Sequence, residues 1–145
     1  MILSKKVSYF WFPLLNRLFT AKKKMPNTLV QLSFKLKYPL AKVIIWKQID
    51  VFKWHVNFET KGKGYLSLYT SEGAWLETAC SVTMKDVPKK VQDSFGSRYG
   101  RKGLKHIYRI KTPNQVIFEI LWSNGIYDVK LLYSETGTIV GKLIC

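Results

Sequence analysis

The chain has 145 residues, of which 47% are hydrophobic and 23% charged; this composition supports a packed core and excludes wholesale disorder. No apolar run approaches the roughly 20 residues that cross a bilayer. The net charge of +15 is consistent with a solvated surface and also with attraction to polyanions or acidic partners.

The two cysteines, Cys80 and Cys145, lie in no CxxC motif and in no Cys/His cluster. Structural zinc sites combine such residues at close spacing. We therefore expect no metal ion and no cofactor.

The first 24 residues differ from the rest of the chain. Lys5 and Lys6 precede an apolar run over 7–15, which is the order found in signal peptides. However, Phe19 stands where a small residue should precede cleavage after Ala21. Three interpretations remain open: an imperfect export signal, an aromatic and basic membrane-surface anchor, or a stretch upstream of a true start at Met25.

Two segments carry apolar residues at every fourth position, a spacing that places them on one helical face. The segments are 61 positions apart, and the residues are Val30, Phe34 and Tyr38 in the first and Val91, Phe95 and Tyr99 in the second. Proline lies near each start, and Pro39 and Gly100 follow the last tyrosines. We predict helices over 26–38 and 87–99.

Each predicted helix is followed by four strand-like runs separated by turn residues. The runs are 43–46, 52–59, 65–69 and 74–82 in the first copy, and 104–111, 116–122, 127–133 and 139–144 in the second. The pattern predicts an α+β fold of two tandem units, each a helix packed on a four-stranded antiparallel sheet. The expected organisation is an N-terminal segment over 1–24, a first unit over 25–84 and a second over 85–145.

The second copy shows which strand residues face the helix. Burying Lys130 without a partner would be costly, so Val129 and Leu131 form the inner set. By equivalence, Leu66 and Leu68 point away from the first helix, onto the open face of the sheet.

We predict a partner-binding site on this open face, because exposed aromatic and apolar groups are typical of protein interfaces. Trp46 lies three residues after Val43 and points outward if Val43 is buried. The predicted site consists of Trp46, His55, Leu66, Leu68 and Trp75.

Three runs of the second copy, "VPKKVQDSFGSRYG", "FEILW" and "VKLLYSETGTIVGKL", resemble the PepSY-like, β-lactamase-inhibitor-like family of bacterial proteins. The first copy matches as "MPNTLVQLSFKLKYPLAKVIIWK", "WHVNF" and "LYTSEGAWLET". The resemblance implies tandem helix-and-sheet units in a periplasmic or secreted protein; a true start at Met25 would instead favour the cytoplasm. The inhibitor branch inserts hairpin loops into an enzyme, whereas the corresponding loop here, 60–64, is basic and has no acidic or aromatic tip.

No catalytic constellation is present in the sequence. His55 and His106 are isolated strand histidines, and the carboxylates show no paired spacing. We therefore predict a protein that is not an enzyme. Its expected function is to bind a protein or peptide, as an inhibitor or envelope sensor, through the open sheet face and hairpin loops.

The alternative is binding of nucleic acid or another polyanion through the basic stretch over 85–111. Its candidate residues are Arg98, Arg101, Lys102 and Lys105.

Overall fold

The computed structural model describes residues 24–145, so the predictions for residues 1–23 lie outside the described part. Helix α1 spans Thr28–Lys37 and helix α2 spans Lys89–Gly96, both inside the predicted spans. The strands are β1 (Lys42–Asp50), β2 (Lys53–Thr60), β3 (Lys63–Thr70), β4 (Trp75–Ser81), β5 (Leu104–Lys111), β6 (Val116–Ser123), β7 (Asp128–Ser134) and β8 (Ile139–Ile144). All eight predicted strands are present.

The strands form one antiparallel sheet in the order β1-β2-β3-β4-β5-β6-β7-β8. The prediction of two tandem units with separate four-stranded sheets is therefore wrong, and a tandem repeat is not confirmed. The physical reason is that a fourth strand leaves its outer edge of N–H and C=O groups open to pairing. Side-chain alternation identifies the faces of a strand and does not reveal where a sheet ends.

The described residues group into two compact units. The first unit contains residues 24–80 and 111–114, and the second contains 81–110 and 115–145. The predicted domain boundary between 84 and 85 stays a prediction.

Helix α1 packs on the first unit through Val30 and Phe34, both buried. The centroid of the Phe34 ring lies 5.0 Å from that of Phe58 and 5.3 Å from that of Trp46, and both contacts are edge-to-face. The Asn27 side chain begins the helix by accepting a hydrogen bond from the Val30 amide at 3.2 Å. Aromatic packing therefore fixes the helix across the sheet.

Helix α2 buries Val91 and Phe95 in the second unit. Phe95 stacks on Tyr99, whose ring lies 5.1 Å from Trp122. On β7, Val129, Leu131 and Tyr133 are buried, as predicted for the inner set.

Gly73 and Gly137 allow tight turns to approach the two helices. Both have positive φ, +88° and +85°, which glycine adopts without strain. A Cβ on Gly73 would lie 3.0 Å from the Leu29 carbonyl oxygen, and one on Gly137 would lie 2.5 Å from that of Lys90. A side chain at either position would therefore push the turn away from its helix.

Candidate functional site

Trp46 does not lie on the open face, so its predicted orientation is wrong. It is buried beneath α1 and contacts Phe34. A β-bulge between Val43 and Ile45 shifts the alternation, so that Val43 pairs with Phe58 and Trp46 pairs with Val56. Both residues therefore share the helix side of β1.

Trp75 is also on the helix side, for the same reason. A register shift places it opposite Tyr69, which is buried in the core beneath α1. Its indole N–H donates to Thr78 Oγ1 at 2.9 Å, and the Lys37 ammonium lies 3.6 Å from its ring centroid. This cation–π contact accounts for Trp75 as a structural residue.

His55, Leu66 and Leu68 do lie on the face away from α1, as predicted. His55 is opposite Leu68, and Leu68 is opposite Glu77. However, the exposed fractions of His55, Leu66 and Leu68 are only 4%, 2% and 8%, so the expectation of an exposed apolar patch here is wrong. Alternation determines which face a side chain joins, whereas exposure depends on what lies against that face.

Burial of His55 has a consequence for stability. Desolvation of the ring and the nearby charge of Lys47 lower the pKa of His55 to about 4, because both disfavour the imidazolium.

We expect His55 to make the fold acid-sensitive. Its folded pKa is below the unfolded value of about 6.5, so its contribution is present above pH 6.5 and is lost as pH falls towards 4. The loss amounts to about 2 kcal/mol at pH 5. Urea unfolding at pH 7.5 and 5 should show a correspondingly smaller difference in the free energy of unfolding for His55→Gln than for the unmodified chain. Equal losses in the two proteins would contradict this assignment.

The basic residues predicted for polyanion binding are all exposed. Arg98 follows α2, and Arg101 and Lys102 belong to a short 3₁₀ turn. The Lys105 ammonium lies 3.0 and 3.1 Å from the two carboxylate oxygens of Asp128. One of the four cations is thus already partly neutralised.

An exposed apolar surface lies instead on the outer face of α1, where sequence reasoning missed it. Its leucines follow one another at spacings of three and four residues, which aligns them along one side of the helix. We call Leu29, Leu32 and Leu36 the outer stripe; they are 60%, 52% and 83% exposed.

Helix α2 shows that the fold does not require this stripe. The positions 61 residues after Leu29, Leu32 and Leu36 are Lys90, Asp93 and Ser97, which are polar and exposed. A surface helix ordinarily carries polar residues on its outer side. The outer stripe could therefore have been found by comparing the exposed positions of the two helices. The helices themselves were predicted from their buried positions.

A groove of about 530 Å³ runs between α1 and β1 in the first unit. Its walls include Leu32 and Lys35 from α1, and Val43 and Ile44 from β1. The full lining consists of Lys24, Met25, Thr28, Gln31, Leu32, Phe34, Lys35, Tyr38, Pro39, Ala41, Val43, Ile44, Ile45 and Trp46. We call it the edge groove; among the described residues that line it, the charged side chains are lysines only.

The turn between β1 and β2 adds two more exposed apolar side chains, Val51 and Phe52, each 74% exposed. The backbone of this turn is well tied: the Phe52 amide donates to the Asp50 carboxylate at 2.7 Å, and the Ser71 amide donates to the Phe52 carbonyl at 2.7 Å. A hairpin held in this way can present its apolar tip without unfolding.

Two kinds of site are not seen in residues 24–145. No three or more His, Cys, Asp or Glu side chains gather as a metal site would require. None of the described helices has the length and apolar character of a membrane span.

The fold is shared with solved proteins of Bacteroides. A BLIP-like protein from Bacteroides fragilis matches with a TM-score of 0.74 and 21% identity, over 83% of this chain and 87% of that one. A DUF2874 family protein from Bacteroides ovatus matches with a TM-score of 0.73 and 23% identity, over 83% of this chain and 89% of that one. A candidate periplasmic protein from Bacteroides eggerthii matches with a TM-score of 0.75 and 21% identity, over 83% of this chain and 90% of that one.

At these identities the likeness establishes the fold. The resemblance to β-lactamase-inhibitor-like proteins is thus confirmed at that level, and the PepSY-like resemblance is not. No family model and no curated protein matches the chain.

Proposed function

We propose that the chain is a non-catalytic protein-binding module whose contact surface is the outer stripe of α1. The observation that carries this proposal is the difference between Leu29, Leu32 and Leu36 on α1 and the polar residues at the matching positions of α2. Exposed leucines lower solubility, so a surface of this kind is advantageous when a partner covers it.

The likeness to a BLIP-like protein supports the same class of function, since that protein is described by its similarity to an inhibitory protein. The candidate periplasmic protein of the same fold supports action outside the cytoplasm. Both points concern proteins with 21% identity to this chain, and they enter here as support for the proposal.

The site predicted from the sequence enters the proposal in a reduced form. Trp46, Leu66 and Leu68 are buried and Trp75 is half-buried, so we assign them to the packing of the first unit and not to the contact surface. The hairpin loops remain part of the proposed surface, through Val51 and Phe52. Polyanion binding by the basic patch stays a prediction, and the salt bridge of Lys105 does not favour it.

The test replaces the three leucines of the outer stripe with the polar residues found at the matching positions 61 residues later. The variant Leu29→Lys, Leu32→Asp, Leu36→Ser changes only exposed positions, so its free energy of unfolding should stay within about 0.5 kcal/mol per substitution. We expect it to lose the partner that the immobilised unmodified chain captures from cell-envelope extract, as identified by mass spectrometry.

The matched control is Lys90→Ala, Asp93→Ala, Ser97→Ala, with two substitutions on α2 and one directly after it. It should capture the partner normally. Capture that survives in the α1 variant, or is lost equally in both variants, would contradict the proposal.

A further inference from the structure

We propose that the edge groove binds an extended, acidic segment of a partner protein, which adds as a strand to the free edge of β1. This inference rests on the proposed function and specifies its partner chemically. The segment would pair with the β1 backbone and place its apolar side chains between β1 and α1.

The first support is the position of β1 in the sheet. It is the first strand in the order and pairs with β2 on one side, so among the described residues its other side has no strand neighbour. Such an edge offers a row of backbone donors and acceptors to an incoming chain. At nine residues, β1 is long enough for several hydrogen bonds.

The second support is the apolar groove beside that edge. Leu32 and Ile44 are exposed, and they line the groove together with the buried Phe34. Strand addition usually obtains its specificity from pockets that accept alternate side chains. Hydrogen bonds to the edge and apolar burial in the groove would therefore act on the same segment.

Charge determines which occupant fits. Among residues 24–145 the groove is lined by Lys24 and Lys35 and by no carboxylate, and Lys42 is exposed on β1 opposite Glu59 of β2. A second copy of a chain with net charge +15 would be repelled, and residues 1–23, with five basic residues and no acid, would be repelled too. A flat anionic membrane could meet the lysines but could neither fill a concave groove nor pair with a strand edge.

The probe is a fluorescent nine-residue peptide that alternates glutamate with valine or isoleucine. Two companion peptides complete the set: one with lysine in place of glutamate, and one N-methylated at every residue, which keeps its side chains but cannot donate backbone hydrogen bonds. Fluorescence anisotropy should show saturable binding of the acidic peptide to the full chain. Both companions should bind at least about tenfold more weakly. The lysine peptide is repelled by the lysines of the groove. The N-methylated peptide loses its backbone hydrogen bonds, and one or two net bonds already correspond to about tenfold.

The matched variants lie on the two edge strands of the sheet. Val43 on β1 and Val140 on β8 are 40% and 42% exposed, so glutamate should be tolerated equally at both. Val43→Glu should weaken binding of the acidic peptide by about tenfold or more, because it places a carboxylate among the apolar side chains of the peptide and adds negative charge beside an acidic segment. Val140→Glu should leave binding unchanged. If Val43→Glu lowers the melting temperature, Ile44→Glu, at a more exposed position, replaces it.

Several results would overturn the proposal. One is equal binding of all three peptides. Others are a dimer in sedimentation analysis that Val43→Glu dissociates, and binding to phosphatidylglycerol vesicles that Val43→Glu abolishes. If the acidic peptide fails to bind while the α1 variant still loses its captured partner, strand addition is wrong and protein binding by the outer stripe stands.

Discussion

Replacing Phe34 with alanine is expected to lower the free energy of unfolding by about 3–5 kcal/mol. Phe34 is buried and its ring contacts those of Tyr38, Trp46, Phe58 and Tyr69. Removing it leaves a cavity among large, rigid rings that cannot readily close around it. Urea unfolding followed by circular dichroism measures the change.

The control is Leu36→Ala, two residues away on the same helix and 83% exposed. It should change the free energy of unfolding by no more than about 0.5 kcal/mol. A loss below about 1 kcal/mol for Phe34→Ala, or equal losses for both variants, would mean that α1 is not anchored as described.

Replacing Lys130 with methionine is expected to cost about 3–5 kcal/mol, because it removes a positive charge that faces a buried carboxylate. The Lys130 ammonium lies 4.0 Å from Glu119 Oε1, and both side chains are almost fully buried. Burial raises the pKa of Glu119, while Lys130 opposes that shift. Without the lysine, the pKa of Glu119 in the folded state should rise further above its value in the unfolded state.

The sign of the pH dependence follows from that shift. A carboxyl group whose pKa is raised by folding stabilises the native state most below its unfolded pKa, and this advantage is lost as pH rises through the folded pKa. The Lys130→Met variant should therefore be more strongly destabilised at pH 8 than at pH 4. Urea unfolding at both pH values provides the measurement.

The double variant Glu119→Leu, Lys130→Met is the control, since it removes both charges together. Replacement of a buried ion pair by apolar residues is often neutral or stabilising by about 1–4 kcal/mol. A double variant as unstable as Lys130→Met would show that the loss does not arise from the unpaired carboxylate.

The helices and strands were predictable because they depend on local periodicity. Spacings of four residues predicted α1 and α2, and alternation predicted which face Leu66 and Val129 join. Lys130 shows where this reasoning stops: it points away from α2 as predicted, yet it is buried diagonally across from Glu119 on β6. A carboxylate on the neighbouring strand reduces the cost of burial, and sequence spacing alone does not pair the two residues.

The site was predicted less well, for two physical reasons. Bulges in β1 and β4 reversed the expected orientation of Trp46 and Trp75, and a bulge leaves little trace in residue types. The single sheet depends on long-range strand pairing that alternation does not encode. By contrast, the outer stripe could be predicted from the sequence, because Leu29, Leu32 and Leu36 align with polar residues in and directly after α2.

The central claim, that a partner protein covers the outer face of α1, is tested most directly by site-specific photo-crosslinking. A photoreactive phenylalanine derivative would replace Leu32 in one protein and Asp93, the matching position on α2, in another. Irradiation of cells that produce each protein should give a discrete crosslinked product from position 32 and none from position 93. Equal crosslinking at both positions, or none at position 32, would contradict the claim.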